Sequence, residues 1–171
     1  VAPPDDAPAV VIRDARLDDA EAINAIYNEV LATSSAIWRD DPEPVDERRA
    51  TLAAKAAEGW PVLVATRDDV VVGFDSVGPF RPWPGYHLTV EHTIHVHRDH
   101  RGQGVGDALL RRLIERLREE GKAVLIAGLD AGNHGSARFH ERFGFRPVAS
   151  MPGVGRKGGL PVDLVLLQLD L

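Results

Sequence analysis

The segment RGQGVG at 101–106 is the stretch of this chain best suited to hold a ligand by its backbone. Glycines at 102, 104 and 106 permit a tight turn and leave amides unshielded by side chains. The segment lies between a strongly β-type run, HLTVEHTIHV (87–96), and a helical pattern that reaches Glu120. The first amides of a helix have no internal partners and sit at the positive end of its dipole. Turn and helix start together make a cradle for a phosphate or pyrophosphate, to which Arg101 would add a charge-assisted bond. The spacing G-x-G-x-G departs from the dinucleotide pattern G-x-G-x-x-G, and no Gly-Lys-Ser/Thr follows to make a P-loop. Taken alone, the loop suits equally well a turn that merely folds the helix back on its strand.

A second concentration of reactive side chains is His87, His92, His95, His97 and His100. Two histidines in H-x-H spacing on one strand face could ligate zinc or nickel, but the spacing matches no zinc-enzyme motif and no carboxylate pair completes it. The chain contains no cysteine, which excludes a thiol nucleophile, a Cys-ligated zinc, an iron–sulfur cluster and a disulfide framework. Twenty Lys and Arg against 26 Asp and Glu give a net charge of −6, which argues against a nucleic-acid partner.

These residues need a scaffold, and 171 residues with 44% hydrophobic and 27% charged side chains suffice for one ordinary domain. The start, VAPPDDAPAV, has neither a basic nor an apolar signal region, so residues 1–9 are expected to be a loose tail and the protein cytoplasmic. No apolar run approaches the roughly 18 residues of a membrane helix. Strands are expected at 10–16, 61–67, 70–80, 87–96, 122–130, 145–151 and 162–171, with a glycine-rich loop at 154–159. Helices are expected after Asp18 as N-cap, at 46–58 ending on Gly59, from 106 to Gly121, and at 133–143. Asp68-Asp69 suits a hairpin link. The order β-α-α-β-β-β-α-β-α-β-β is that of a mixed α/β domain.

With its surroundings, the loop resembles the R-x-x-G-x-G/A pattern of the GNAT superfamily of acetyl-CoA-dependent N-acetyltransferases. Asn133 at a helix start and Gly144-Phe145 match a second superfamily motif. AIYNEV (25–30), SSAIW (34–38), PVLVA (61–65), TVEHTIHVH (89–97) and NHGSARFHERFGF (133–145) are similar to the phosphinothricin and methionine sulfoximine acetyltransferases. The resemblance implies a single domain over 10–171, built on a mostly antiparallel sheet that splays at the acetyl-CoA site. It implies that backbone groups of Ile94, His95 and Val96 pair with the pantetheine arm. The amides of Gly102, Gln103, Gly104, Val105, Gly106 and Asp107 would hold the pyrophosphate, and Asn133 would contact the cofactor near its thioester.

Acyl transfer to an amine needs a base, because an ammonium ion has no lone pair. Glu91 matches the glutamate of the family's T-V-E motif and is the preferred base, acting directly or through water, with His92 kept as the other candidate. Strand alternation puts Glu91, Thr93, His95 and His97 on one face and Val90, His92, Ile94 and Val96 on the other. His140 stands where many relatives carry a tyrosine acid, and it either protonates the leaving thiolate or packs on the pocket. The same resemblance places Arg81, Pro82, Trp83, Glu91, His92 and Thr93 beside the substrate, with Arg81 suited to an amino acid's carboxylate or a tetrahedral oxide. Trp38 and Tyr27 are either further pocket walls or ordinary core. Lys157 and Asp163 keep the family pattern while residues 158–162 depart from its Phe-Gly-Arg-Trp-like stretch. The implied enzyme is a homodimer acting on a small-molecule amine with acetyl-CoA as cosubstrate. An acyl-CoA sensor and a peptide N-terminal acetyltransferase are the rival readings.

Overall fold

Apolar content and strand period set the sheet, and two helical layers then bury its faces. In the computed structural model the described residues are 9–171, so the expected tail lies outside them apart from Ala9. The chain runs β1 (Val11–Asp14), α1 (Ala20–Thr33), α2 (Val45–Glu58), β2 (Val62–Arg67), β3 (Val70–Pro79) and β4 (Thr89–Val96). It continues through α3 (Val105–Glu119), β5 (Val124–Asp130), α4 (His134–Glu141), β6 (Arg146–Lys157) and β7 (Leu160–Asp170). This is the expected order of element types. The strands form one sheet in the order β1-β2-β3-β4-β5-β7-β6. Every neighbouring pair is antiparallel except β4 with β5.

Strand β2 reads as a continuous apolar run because both its faces are covered. Leu63 and Ala65 join the cluster under α3, while Val62 and Val64 join the one under α1 and α2. Helix α3 commits Leu109, Leu110, Leu113, Ile114 and Leu117 to the first cluster, at helical spacing. Asp68 and Asp69 turn between β2 and β3 with positive φ angles of 47° and 64°, as a two-residue hairpin link requires. Pro61 leaves the sheet one donor short. Val77 N–H donates to Pro61 O at 3.1 Å, and proline has no N–H to return. The half-buried Lys55 ammonium of α2 donates to the Val77 carbonyl instead.

Two local expectations need correction. Asp18 does not cap α1. A 3₁₀ turn over Leu17–Asp19 precedes the helix, and Asp19 turns its carboxylate to the Arg13 guanidinium (2.7 and 2.8 Å) and to Arg16 N–H (2.6 Å). The bidentate Arg13 fork and the Arg16 amide together fix the Asp19 carboxylate at the turn. The glycine-rich stretch 154–159 is likewise mostly strand. β6 runs on to Lys157, absorbs an irregularity between Met151 and Gly155, and turns only at Gly158-Gly159, with φ angles of 55° and 77°.

The strand pairing also opens the sheet at one place. β4 pairs with β5 only from Thr89–Val124 to His92–Ala127. Beyond His92, β4 stays on β3 as far as Val96–Gly73, while β5 stays on β7 as far as Asp130–Leu164. The two central strands therefore part in the middle of the sheet, at His92.

Candidate active site

Where β4 and β5 part, Thr93, Ile94, His95 and Val96 lose their β5 neighbours and expose a ladder edge inside the sheet. An extended ligand arm can pair there as an added strand would. Ile94 and Val96 lean on the α3 cluster, whereas His95 points to the opposite face, edge-on to Tyr27 and Phe74 with ring centres 6.3 and 5.5 Å away. His95 Nε2 is buried without a partner, and burial pushes this histidine down to about 4.

The glycine loop follows directly. Gly102 and Gly104 have φ angles of 69° and 80°, and a Cβ at either would meet no atom within 4 Å. Gly104 precedes α3 without a side-chain cap, and the first helical bond is Ala108 N–H to Gly104 O at 3.0 Å. The amides of Val105, Gly106 and Asp107 are thus the donors that a helix start leaves unsatisfied. At Gly106 a Cβ would lie 3.3 Å from Phe139, so this glycine lets α4 close on α3. Gln103 is braced by Asp99 O (2.8 Å) and by both arms of Arg67. Arg101 donates through Nε to Val96 O at 2.9 Å and through Nη2 to Glu29 at 3.0 Å. Asp107 pairs with Arg142 at 2.8 Å, and Asn133 caps α4 by accepting Ser136 N–H at 3.1 Å.

Glu91 and His92 sit at the apex on opposite faces of β4. Glu91 is half-buried, and burial raises its carboxyl above the usual range while the charges of Arg81 and His92 pull it back. Its Oε1 lies 2.9 Å from the point where a Cβ of Gly128 would stand. A half-buried carboxylate of raised pKa beside an open strand edge is equipped to take a proton. His92 is buried, with Nδ1 on the Asp75 carboxylate at 3.0 and 3.2 Å. His140 lies beside it, with ring centres 5.2 Å apart. His140 Nδ1 is 2.7 Å from Ser136 O, and burial first, then the charge of His92, push it down to about 4. Its Nδ1 carries the hydrogen, as assigned from that partner, so at neutral pH Nε2 is a lone pair.

The expected substrate wall is less enclosed than the apex. Arg81, Pro82 and Trp83 are all exposed, Trp83 at 70%. Arg81 lies over the Phe80 ring at 4.2 Å, and Thr93 is exposed on the Glu91 face. Tyr27 carries the Arg48 guanidinium on its ring at 4.5 Å. Trp38 lies flat on the β6–β7 hairpin, so close that a Cβ at Gly155 would stand 2.3 Å from its ring. Lys157 holds the hairpin tip to the carbonyls of Leu31 (3.1 Å) and Arg39 (2.5 Å), and Asp163 accepts Gly153 N–H at 2.6 Å. The two residues that persist from the family pattern therefore both secure this hairpin. Among the described residues no three His, Asp or Glu side chains group to hold a metal ion.

Three residues at the site escape a sequence reading. Asp75 is an acid within the apolar VVVGFDSV, Gly128 interrupts the apolar KAVLIAGLD, and Arg67 ends β2. The first two carry a signal, since each breaks a buried strand; Arg67 carries none. Replacing Gly128 by Ala should leave stability nearly unchanged, because the atom in the way is the end of a flexible side chain. It should displace the Glu91 carboxylate and lower kcat by about tenfold, a fraction of a general base's contribution. Steady-state kinetics beside thermal unfolding separates the two effects, and an unaltered kcat would show that Glu91 does not act from this position.

Comparisons with known proteins give the family. Residues 23–145 match the Acetyltransferase (GNAT) family. The L-amino acid N-acyltransferase MnaT of Escherichia coli is 43% identical over 160 residues, covering 94% of this chain and 93% of that one. An L-methionine sulfoximine/L-methionine sulfone acetyltransferase of Pseudomonas paraeruginosa is 42% identical over 161 residues, with 94% of each chain covered. A phosphinothricin N-acetyltransferase of Alcaligenes faecalis is 37% identical over 164 residues, 95% of this chain and 83% of that one. The solved structure of yncA from Salmonella typhimurium, a putative acetyltransferase with its cofactor acetyl-CoA, superposes with a TM-score of 0.90 at 42% identity, over 95% of this chain and 94% of that one. By sequence and by fold, the chain belongs to the GNAT acetyltransferase family.

Proposed function

We propose that the protein transfers an acetyl group from acetyl-CoA directly to the α-amine of a small amino acid or analogue, of the methionine sulfoximine, methionine sulfone or phosphinothricin type. The observation that carries this reading is Glu91, half-buried at the point where β4 and β5 part, on the strand that leads into the glycine loop and the amides that begin α3. The names of the relatives support the amino-acid class.

Backbone groups of Ile94, His95 and Val96 receive the pantetheine arm, and the amides of residues 102–107 hold the pyrophosphate, with Asn133 near the thioester. Glu91 takes the proton that the attacking nitrogen loses, directly or through one water. Arg81, the charged residue of the exposed loop, meets the acceptor's carboxylate or tetrahedral oxide, with Pro82, Trp83 and Thr93 alongside. Transfer is direct, and no cysteine is present to carry an acyl group. The protein acts as a homodimer in the cytoplasm. No helix among the described residues is long and apolar enough to cross a membrane.

Thiol release from acetyl-CoA, measured across free amino acids, the sulfone and sulfoximine of methionine, phosphinothricin and short peptides, tests the reading. Turnover concentrated on one oxidised-sulfur or phosphinic analogue, or on one free amino acid, is the expected result. Binding of acetyl-CoA with no turnover on any of these amines would sink it in favour of an acyl-CoA sensor.

A further inference from the structure

We propose that Asp75 is a positioning residue, which fixes His92 so that its Nε2 delivers a proton to the departing thiolate. The inference rests on the acyl-transfer reading and deepens it by naming the source of the proton that reaches sulfur.

Asp75 has no exposed surface, and it shares the α3 face of the sheet with His92. The register pairs Asp75 with Ile94 and Val77 with His92, which makes the two side chains diagonal neighbours on adjacent strands. Both carboxylate oxygens lie on His92 Nδ1, at 3.0 and 3.2 Å. A carboxylate there keeps the hydrogen on Nδ1 and stabilises the ring when it is cationic. The ring has no freedom to turn away. Phe145 stacks on it with centres 5.8 Å apart, and His140 meets it edge-on.

This arrangement leaves His92 Nε2 buried and without a hydrogen-bond partner. A buried nitrogen of this kind is costly unless something else satisfies it. His92 is also the last β4 residue paired with β5, so the ring stands at the apex of the open cleft. Nδ1 is turned to Asp75 of β3, and Nε2 therefore lies on the side of the ring away from β3. His140 is not placed to donate, because burial holds it neutral and its one ring hydrogen is committed to Ser136 O. The titratable groups in contact with His92 are Asp75 from β3 and His140 from α4; Glu91 projects from the other face of β4, and β5 presents Ala127. Asp75 alone touches the ring with a carboxylate.

The proton count closes. The ammonium substrate first gives one proton to solvent, and its lone pair forms the C–N bond. The C–S bond breaks with its electron pair going to sulfur. Glu91 takes the second proton from nitrogen, and His92 Nε2–H supplies one to sulfur. Neutral His92 keeps Nδ1–H on Asp75 and regains its Nε2 proton from solvent, to which Glu91 returns its own. One proton is released per turnover.

Asp75→Asn tests the assignment, because an amide oxygen can still accept from Nδ1 and only the charge is lost. We expect kcat to fall about 10- to 100-fold, within the range of general acid catalysis, with KM for both substrates nearly unchanged. An unchanged kcat, or a fall in kcat matched by a rise in KM, would overturn the proposal. A second measurement needs neither activity nor a variant. Nitrogen NMR of histidine-labelled wild-type protein should show the His92 hydrogen on Nδ1, the nitrogen that meets Asp75. A bare Nδ1 beside a protonated Nε2 would overturn the role of Asp75 even if the variant does not fold. Absence of turnover by the wild type on every amine sinks the acyl-transfer reading instead, and with it the thiolate step, while the NMR still decides the pair.

Discussion

Replacing Glu91 by Gln should lower kcat by about 100-fold or more, the range over which a positioned base acts, while the dissociation constant for acetyl-CoA stays within about twofold. Gln preserves the length and shape that fit against Gly128, so packing is nearly conserved and only the proton acceptor is lost. The pH profile supplies a second, independent sign. A base works as its carboxylate, so activity rises as pH passes upward through the pKa of Glu91. Burial raises that pKa, so the acidic limb should sit above the ordinary carboxylate range in the wild type and vanish in the variant. Removing the charge of Arg81 should move the limb further up, since Arg81 is the larger of the two influences opposing burial. Undiminished turnover in Glu91→Gln would hand the base role to His92 or to solvent.

Replacing Gly104 by Val should raise the acetyl-CoA dissociation constant by about 10- to 100-fold, or roughly 1.4–2.8 kcal/mol. Gly104 has a φ of 80°, a region that a β-branched residue occupies only with strain. The Cβ meets no protein atom, so the side chain projects into the space in front of the helix amides, where a pyrophosphate belongs. Gly59→Val is the matched control. Gly59 ends α2 with a φ of 77° and equally open surroundings, and it lies outside the cradle. Both variants should lose similar stability, and Gly104→Val alone should lose acetyl-CoA affinity. Equal affinity in the two, measured by calorimetry, means that the cradle is elsewhere.

The sequence by itself determined the order of the elements and the position of the glycine loop, because both are local properties. The leucines of α3 recur at helical spacing, Asp68-Asp69 tolerates the turn it occupies, and Gly102 and Gly104 stand where the backbone is left-handed. Alternation along β4 likewise assigned Glu91 and His92 to opposite faces before any contact was known, and His95 beside Tyr27 and His92 beside His140 follow it. Misreadings arose where a local pattern competes with a distant partner. Asp18 looks like a cap, but its neighbour Asp19 has Arg13 within reach, and residues 154–159 look like a loop until β7 pairs with Gly155, Arg156 and Lys157.

Only the tertiary structure decided what each catalytic candidate touches. The break between β4 and β5 depends on where two strands, joined by a whole helix, cease to pair, and no residue type marks His92 as the last paired position. Asp75 reaches His92 across 17 residues of chain, Gly128 makes room for Glu91 from another strand, and Arg67 braces Gln103 from 36 residues away. A side chain's protonation follows from burial and from the charges that folding places beside it. Those are properties of the assembled sheet, and they exist only once β3, β4, β5 and α4 have met.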